Sequence, residues 1–205
     1  MGVDSLPWTG DPDADRLLAQ NPFALLMGML LDQQFPMERA FYGPYLLQRR
    51  LGEPLDPAPI ALMDPIDLEP LFKGPPAIHR FPGSFAKRTH ALAGSVVDHY
   101  DGDAARLWTT AANGEDLYKR LRELPGFGDA KARIFVGILG KRLGVAPPGW
   151  EAVAADWPSI ADVGQWEDVF TLRQQKREMK AAKKPEGLNF GGFRADKSAN
   201  PEEGD

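Results

Sequence analysis

An all-α fold is predicted for this chain, and three observations carry that expectation. Asp11-Pro12 and Asn21-Pro22 each set a capping side chain before a proline. That order opens a helix, because the cap oxygen accepts from a free N–H and proline has no N–H to leave unpaired. Leu117, Leu121 and Leu124 recur at helical spacing with Lys119, Arg120 and Arg122 between them, giving one apolar and one basic face. No stretch alternates apolar and polar residues as a half-buried strand would.

Taken in order, helices are expected to start at Pro12 and Pro22 and to run over residues 37–50 (with a bend at Gly43-Pro44), 65–72, 84–100, 103–110, 115–123 and 129–143, with prolines as punctuation between them. Phe23 to Leu31 is the longest apolar stretch. It is too short to span a bilayer and reads as a buried helix. From Thr171 the character changes to a basic run, Arg173, Lys176, Arg177, Lys180, Lys183 and Lys184, and then to a Gly-rich, Asn-rich and acidic end. Residues beyond about 185 carry too little apolar surface to fold alone and are expected to be disordered.

Composition bounds the function. The 205 residues, 43% hydrophobic and 26% charged, suit one soluble globular unit or two small lobes sharing a core. There is no cysteine, so disulfides, thiolate zinc sites and cysteine-ligated iron–sulfur clusters are excluded. His79, His90 and His99 form no i,i+4 ligand pair and are expected on the surface or on helix faces, with no metal site. The net charge of −5 is unevenly spread. Acidic residues gather near the amino terminus and at the far end, while Lys119, Arg120, Arg122, Lys131, Arg133, Lys141 and Arg142 crowd residues 119–142. A local basic face on an acidic protein suits selective DNA binding. Met1 to Gln20 lacks the apolar core of a secretory signal, so a cytoplasmic protein is expected.

The densest signal is Leu124-Pro125-Gly126-Phe127-Gly128-Asp129-Ala130-Lys131-Ala132, a proline-glycine hairpin between two helical patterns. Gly126 and Gly128 can take positive φ at little cost, which brings backbone N–H groups close to a ligand. The helix that follows presents free N–H donors and a positive dipole end, where an anion is favoured. Lys131 can add a charged contact to the same phosphate.

This hairpin resembles the helix-hairpin-helix motif of DNA-repair proteins. Asn21-Pro22-Phe23 followed by Leu25, Leu26, Leu30, Leu31, Gln33 and Gln34 is similar to the opening of the helix-hairpin-helix (HhH-GPD) DNA glycosylase superfamily, which includes endonuclease III and the alkylbase glycosylases. Phe81-Pro82-Gly83-Ser84-Phe85-Ala86-Lys87-Arg88 falls where that family has a glycine and a Lys-Ala helix. The resemblance implies a two-lobed helical fold: a central lobe of residues 21–143, a second lobe of residues 1–20 plus 144–170, and a largely disordered tail of residues 171–205. It also implies a monomer acting on double-stranded DNA that carries a damaged or mismatched base, with no membrane association.

Base excision extrudes a nucleotide, holds its base and stabilises the sugar as the N-glycosidic bond breaks. By the resemblance, Gly126, Phe127, Gly128 and Lys131 bind the DNA backbone, the hairpin carbonyls bind a monovalent cation, and Gln34 fills the gap left by the flipped base. Gln34 also reads as a solvent-facing helix end. Trp150 and Phe81 are candidate walls for the base, or else core residues. The family's aspartate after the hairpin is missing from Gly144 to Glu151. Glu151 is the nearest carboxylate, with Asp156 and Asp32 as further candidates; Glu151 also reads as a helix-starting residue. The family's nucleophilic lysine falls on Ala130, and a helical step of about 100° should turn Lys131 elsewhere. A monofunctional glycosylase without lyase activity is therefore expected, the alternatives being a hairpin module that binds damaged DNA without catalysis and a helical adaptor.

Overall fold

The computed structural model describes residues 3–182. Ten α-helices run through them: α1 (Pro12–Gln20), α2 (Pro22–Leu31), α3 (Met37–Leu51), α4 (Pro57–Leu62), α5 (Pro65–Lys73), α6 (Pro82–Tyr100), α7 (Arg106–Thr109), α8 (Gly114–Glu123), α9 (Asp129–Ile138) and α10 (Asp168–Ala182). Short 3-10 turns occupy Trp150–Ala152 and Ile160–Asp162. Among the described residues there is no strand, and no helix is long and apolar enough to cross a membrane.

The Asx-Pro openings are built as the chemistry requires. Asp11 Oδ1 accepts from Asp13 and Ala14 N–H, and Asn21 Oδ1 accepts from Ala24 N–H. The same device starts α4, where Asp56 Oδ1 accepts from Ala58 N–H ahead of Pro57. That helix was not anticipated, although its Asp-Pro signal is present. Two expected helices are shorter than their spacing suggests: residues 103–110 yield only α7, and the helix after the hairpin passes at Leu139 into a wider π turn, Leu139–Leu143. Gly144, at φ +64, ends that turn as Val145 N–H reaches Leu139 O. Helix α3 continues through Gly43-Pro44. A Cβ at Gly43 would collide with the Leu31 and Ile78 side chains, so glycine lets α3 lie close against α2.

Helix α2 is the axis of the core, buried from Phe23 to Leu31, with α1, α3 and α6 packed around it. Burial of each of its large side chains is worth roughly 1.5–3 kcal/mol. The amino-terminal segment meets the segment after the hairpin: fully buried Trp8 donates its indole N–H to Val163 O at 3.2 Å, and Trp166 lies against Gly10. Buried Asp15 fixes that segment by accepting from Trp8 N–H, Thr9 N–H and the Thr9 hydroxyl.

Within the described residues the basic run is helical. Helix α10 starts at Asp168, sinks Val169 and Leu172 into the core, and pairs Arg173 with Glu38 of α3. The predicted disorder beyond 185 lies outside the described residues.

Candidate functional site

The hairpin is fixed from below. Leu124 and Phe127 are buried, Phe127 stands edge-on to Phe135 at 6.0 Å, and Phe127 N–H closes the turn onto Leu124 O at 3.1 Å. Gly126 is required twice over: φ is +82°, and a Cβ would overlap the Leu30 side chain at the end of α2. Gly128, extended at φ −90°, has nothing within 4 Å of where a Cβ would project. It precedes α9 without a side-chain cap, so the first N–H groups of α9 are free to receive a ligand. Gln33, Arg88, Gly126, Phe127 and Gly128 line an open depression of about 460 Å³. A guanidinium, a hairpin backbone and a helix N-terminus on one depression suit a phosphate. The carbonyls of Pro125, Gly126 and Phe127 accept none of the described hydrogen bonds.

Beside the depression the acidic residue that opens α9 is held in check. Asp129 accepts from the Tyr118 hydroxyl at 2.5 Å and from Arg133 Nε at 3.2 Å. The Tyr118 bond, ahead of the arginine, keeps its carboxyl below the usual range.

Lys131 does not turn away. Its ammonium donates to Leu30 O at 2.6 Å, so the side chain lies along the carboxyl end of α2, where Asp32 ends the helix with its N–H on Gly28 O. The reach of four methylenes lets this residue of α9 meet the last carbonyls of α2. Burial pulls the Lys131 amine down to about 8, against the opposing charge of Asp32. Burial likewise pushes half-buried Asp32 up, against the charges of Lys176 on α10 and Lys131. A carboxylate and an amine of unlike sign thus share one poorly hydrated helix end, an arrangement met at reactive sites more often than elsewhere.

The next two residues form an exposed turn. Gln34 is a non-glycine residue at φ +53, a conformation that costs roughly 1–2 kcal/mol. Gln33 is held at its side chain by Arg88, 2.9 Å from its Oε1. It is held at its carbonyl by His79 Nε2, at 3.1 Å. His79 itself is fully buried, contrary to its expected surface position, and its Nδ1 receives Phe81 N–H at 3.1 Å. Phe81 is 46% exposed under the Arg80 guanidinium, so it is not a core residue and shares a neighbourhood with Gln33.

The residues after the hairpin are arranged differently. Trp150 is half-buried with its indole against Gly140, where a Cβ would collide with the ring, and its backbone lies against Gly114. It packs the following loop onto α8 and the π turn. Glu151 and Asp156 are exposed. Ala155 N–H on Arg133 O and Arg133 on Val153 O tie their loop to α9. Among the described residues, no hydrogen bond or ion pair joins Glu151 or Asp156 to Gln34, Lys131 or Asp32. The structure therefore gathers the hairpin glycines, Lys131, Asp32 and Gln34 at one end of α2, and adds Arg88 and His79, which sequence reasoning did not select. Arg88 could have been found from its place in the Phe81-to-Arg88 segment. His79 sits among Ile78, Phe81 and Phe85, an apolar context that could have marked it as interior.

Among the described residues there is no group of three or more His, Cys, Asp or Glu side chains arranged to hold a metal ion. No protein-family model matches the chain, and no curated protein resembles it in sequence.

Proposed function

We propose that this protein is a DNA base-excision glycosylase whose chemistry is centred on Asp32 and Lys131 at the carboxyl end of α2. The observation that supports the reading is a largely buried lysine amine, bonded to Leu30 O beside Asp32 at the end of α2, between the hairpin and an exposed glutamine turn. In this reading the free N–H groups of α9 and the Arg88 guanidinium hold a DNA phosphate, and Gln34 enters the stack as the target nucleotide leaves it. Ionised Asp32 faces the sugar and takes a proton from the attacking water, whose oxygen bonds to C1′. The departing base keeps the electrons of the glycosidic bond and is protonated by solvent. Lys131 as an ammonium helps keep Asp32 ionised. As a free amine, a form that grows as pH rises through about 8, it condenses with the C1′ aldehyde of the abasic product, releasing water and leaving an imine.

The test is a panel of duplexes containing deaminated, oxidised and alkylated bases, assayed for abasic product. Release of a base by the wild type, lost in Asp32→Asn with DNA binding retained, supports the reading. Duplex binding that falls with salt and with Gly128 or Lys131 substitution, without any abasic product, favours a binding-only module. Absence of both overturns the nucleic-acid reading.

A further inference from the structure

We infer that His79 is a positioning residue that sets the Gln33–Gln34 turn by bonding it to the Phe81 loop through a neutral ring. The inference rests on the proposed base-excision reading for its use, though not for its geometry.

The ring bridges two chain segments 46 residues apart in sequence. Phe81 contributes a backbone N–H, which can only donate, so Nδ1 must offer its lone pair. The proton of the neutral imidazole then lies on Nε2 and is donated to Gln33 O. That carbonyl belongs to the peptide unit leading into Gln34, so the bond orients the plane from which Gln34 takes its left-handed conformation. The ring packs against Phe85, at 3.7 Å between centroids, and Phe35, at 4.6 Å. Arg39 of α3 covers the far side of Phe35.

Protonation would put a donor at Nδ1 against the Phe81 N–H and break the bridge. The surroundings oppose it. Burial disfavours the cation first, and the charges that face the ring are Lys131 on α9, Arg80 in its own loop and Arg88 on α6, all positive. Gln33 O alone favours the charged form. The ring therefore stays neutral below the usual histidine range, and the bridge opens only in more acidic solution. The Gln33–Gln34 turn and the Phe81 loop are thereby held as one unit at neutral pH.

The experiment uses the full chain in two assays. In the free protein, amide resonances of Gln34 and Phe81 are followed by NMR from pH 8 to pH 5. They should shift together with the His79 ring, with a midpoint below 6.5, and the shared transition should vanish in His79→Phe. In the second assay, a duplex with 2-aminopurine at the target position reports extrusion. His79→Phe should retain hairpin-mediated binding within about twofold and lose about tenfold of the fluorescence gain, while His79→Gln, which keeps the Nε2-type donor, should recover part of it and lose the acid transition. Unchanged Gln34 and Phe81 resonances in His79→Phe, or wild-type extrusion by that variant, overturn the inference. If wild-type protein neither binds nor extrudes while the resonances still move together, the base-excision reading fails and the positioning of the turn stands.

Discussion

The carboxyl end of α2 and the loop after the hairpin each carry acidic residues suited by sequence to the same task, and the fold treats them in opposite ways. Asp32 ends a fully buried helix, faces a lysine and is pushed up by burial. Glu151 sits in a single 3-10 turn, exposed, behind a tryptophan whose job is packing. Chain order alone favours Glu151, because in the glycosylases that the sequence resembles the carboxylate follows the hairpin. What distinguishes a reactive carboxylate is desolvation together with a partner, and neither is readable from distance along the chain.

The largest effect separating the two regions is catalytic. Asp32→Asn should lower base release by about 10²–10⁴-fold, and Glu151→Gln should leave it within about twofold, as measured by single-turnover formation of abasic sites. A loss in Glu151→Gln with none in Asp32→Asn would invert the comparison.

Next come the two hairpin glycines. Gly126→Ala must place a Cβ at φ +82 and into Leu30, which should cost about 2–4 kcal/mol in urea denaturation. Gly128→Ala projects into open space and should change stability by about 0.5 kcal/mol or less, while weakening duplex binding at low salt. Equal stability losses at the two positions would show that the hairpin is not seated on α2.

Lys131 tests the electrostatics of the α2 end. Its amine is held at about 8, below its ordinary value of 10.5, so between those pH values the unfolded chain binds the extra proton and stability rises with pH. The difference between wild type and Lys131→Met should therefore grow by about 1–3 kcal/mol in favour of wild type from pH 8 to pH 10.5. Borohydride trapping of protein on abasic DNA should increase across pH 8 and disappear in Lys131→Met. A flat stability difference would mean that the amine is fully hydrated.

At Trp150 the expected effect is on stability alone. Its replacement by alanine should cost about 2 kcal/mol through lost packing of the indole on Gly140, without altering which lesion is processed. A changed lesion spectrum would return Trp150 to the base site.

Much of the helical layout is legible in the sequence, because proline after an Asx cap is a local device whose chemistry is complete within four residues. The unanticipated α4 obeys the same rule at Asp56-Pro57. The π turn has no such local signal, and the side chain packed on its Gly140 is Trp150, ten residues away. At the site, Gly126 and Gln34 could be picked from their motifs, whereas the contact of Lys131 with Leu30 spans 101 residues of sequence. Helical phase gave its direction from α9 and could not say what crosses in front. His79 was misjudged for a related reason: its two partners are backbone groups, which leave no signature in side-chain pattern.

Helix α2 has no basic residue in its last turn, and its terminal carbonyls lie in a crowded interior. The cation at that end comes from α9, through Lys131. One side chain thus closes a helix and, in the proposed reaction, also supplies the amine, so that selection cannot adjust either duty alone. Replacing the lysine to tune reactivity leaves a carbonyl bare, and strengthening its grip on that carbonyl takes the nitrogen out of use. Mutational drift at position 131 should accordingly be narrow, and compensating changes should appear at Leu30, Asp32 and their packing neighbours before they appear in the hairpin itself.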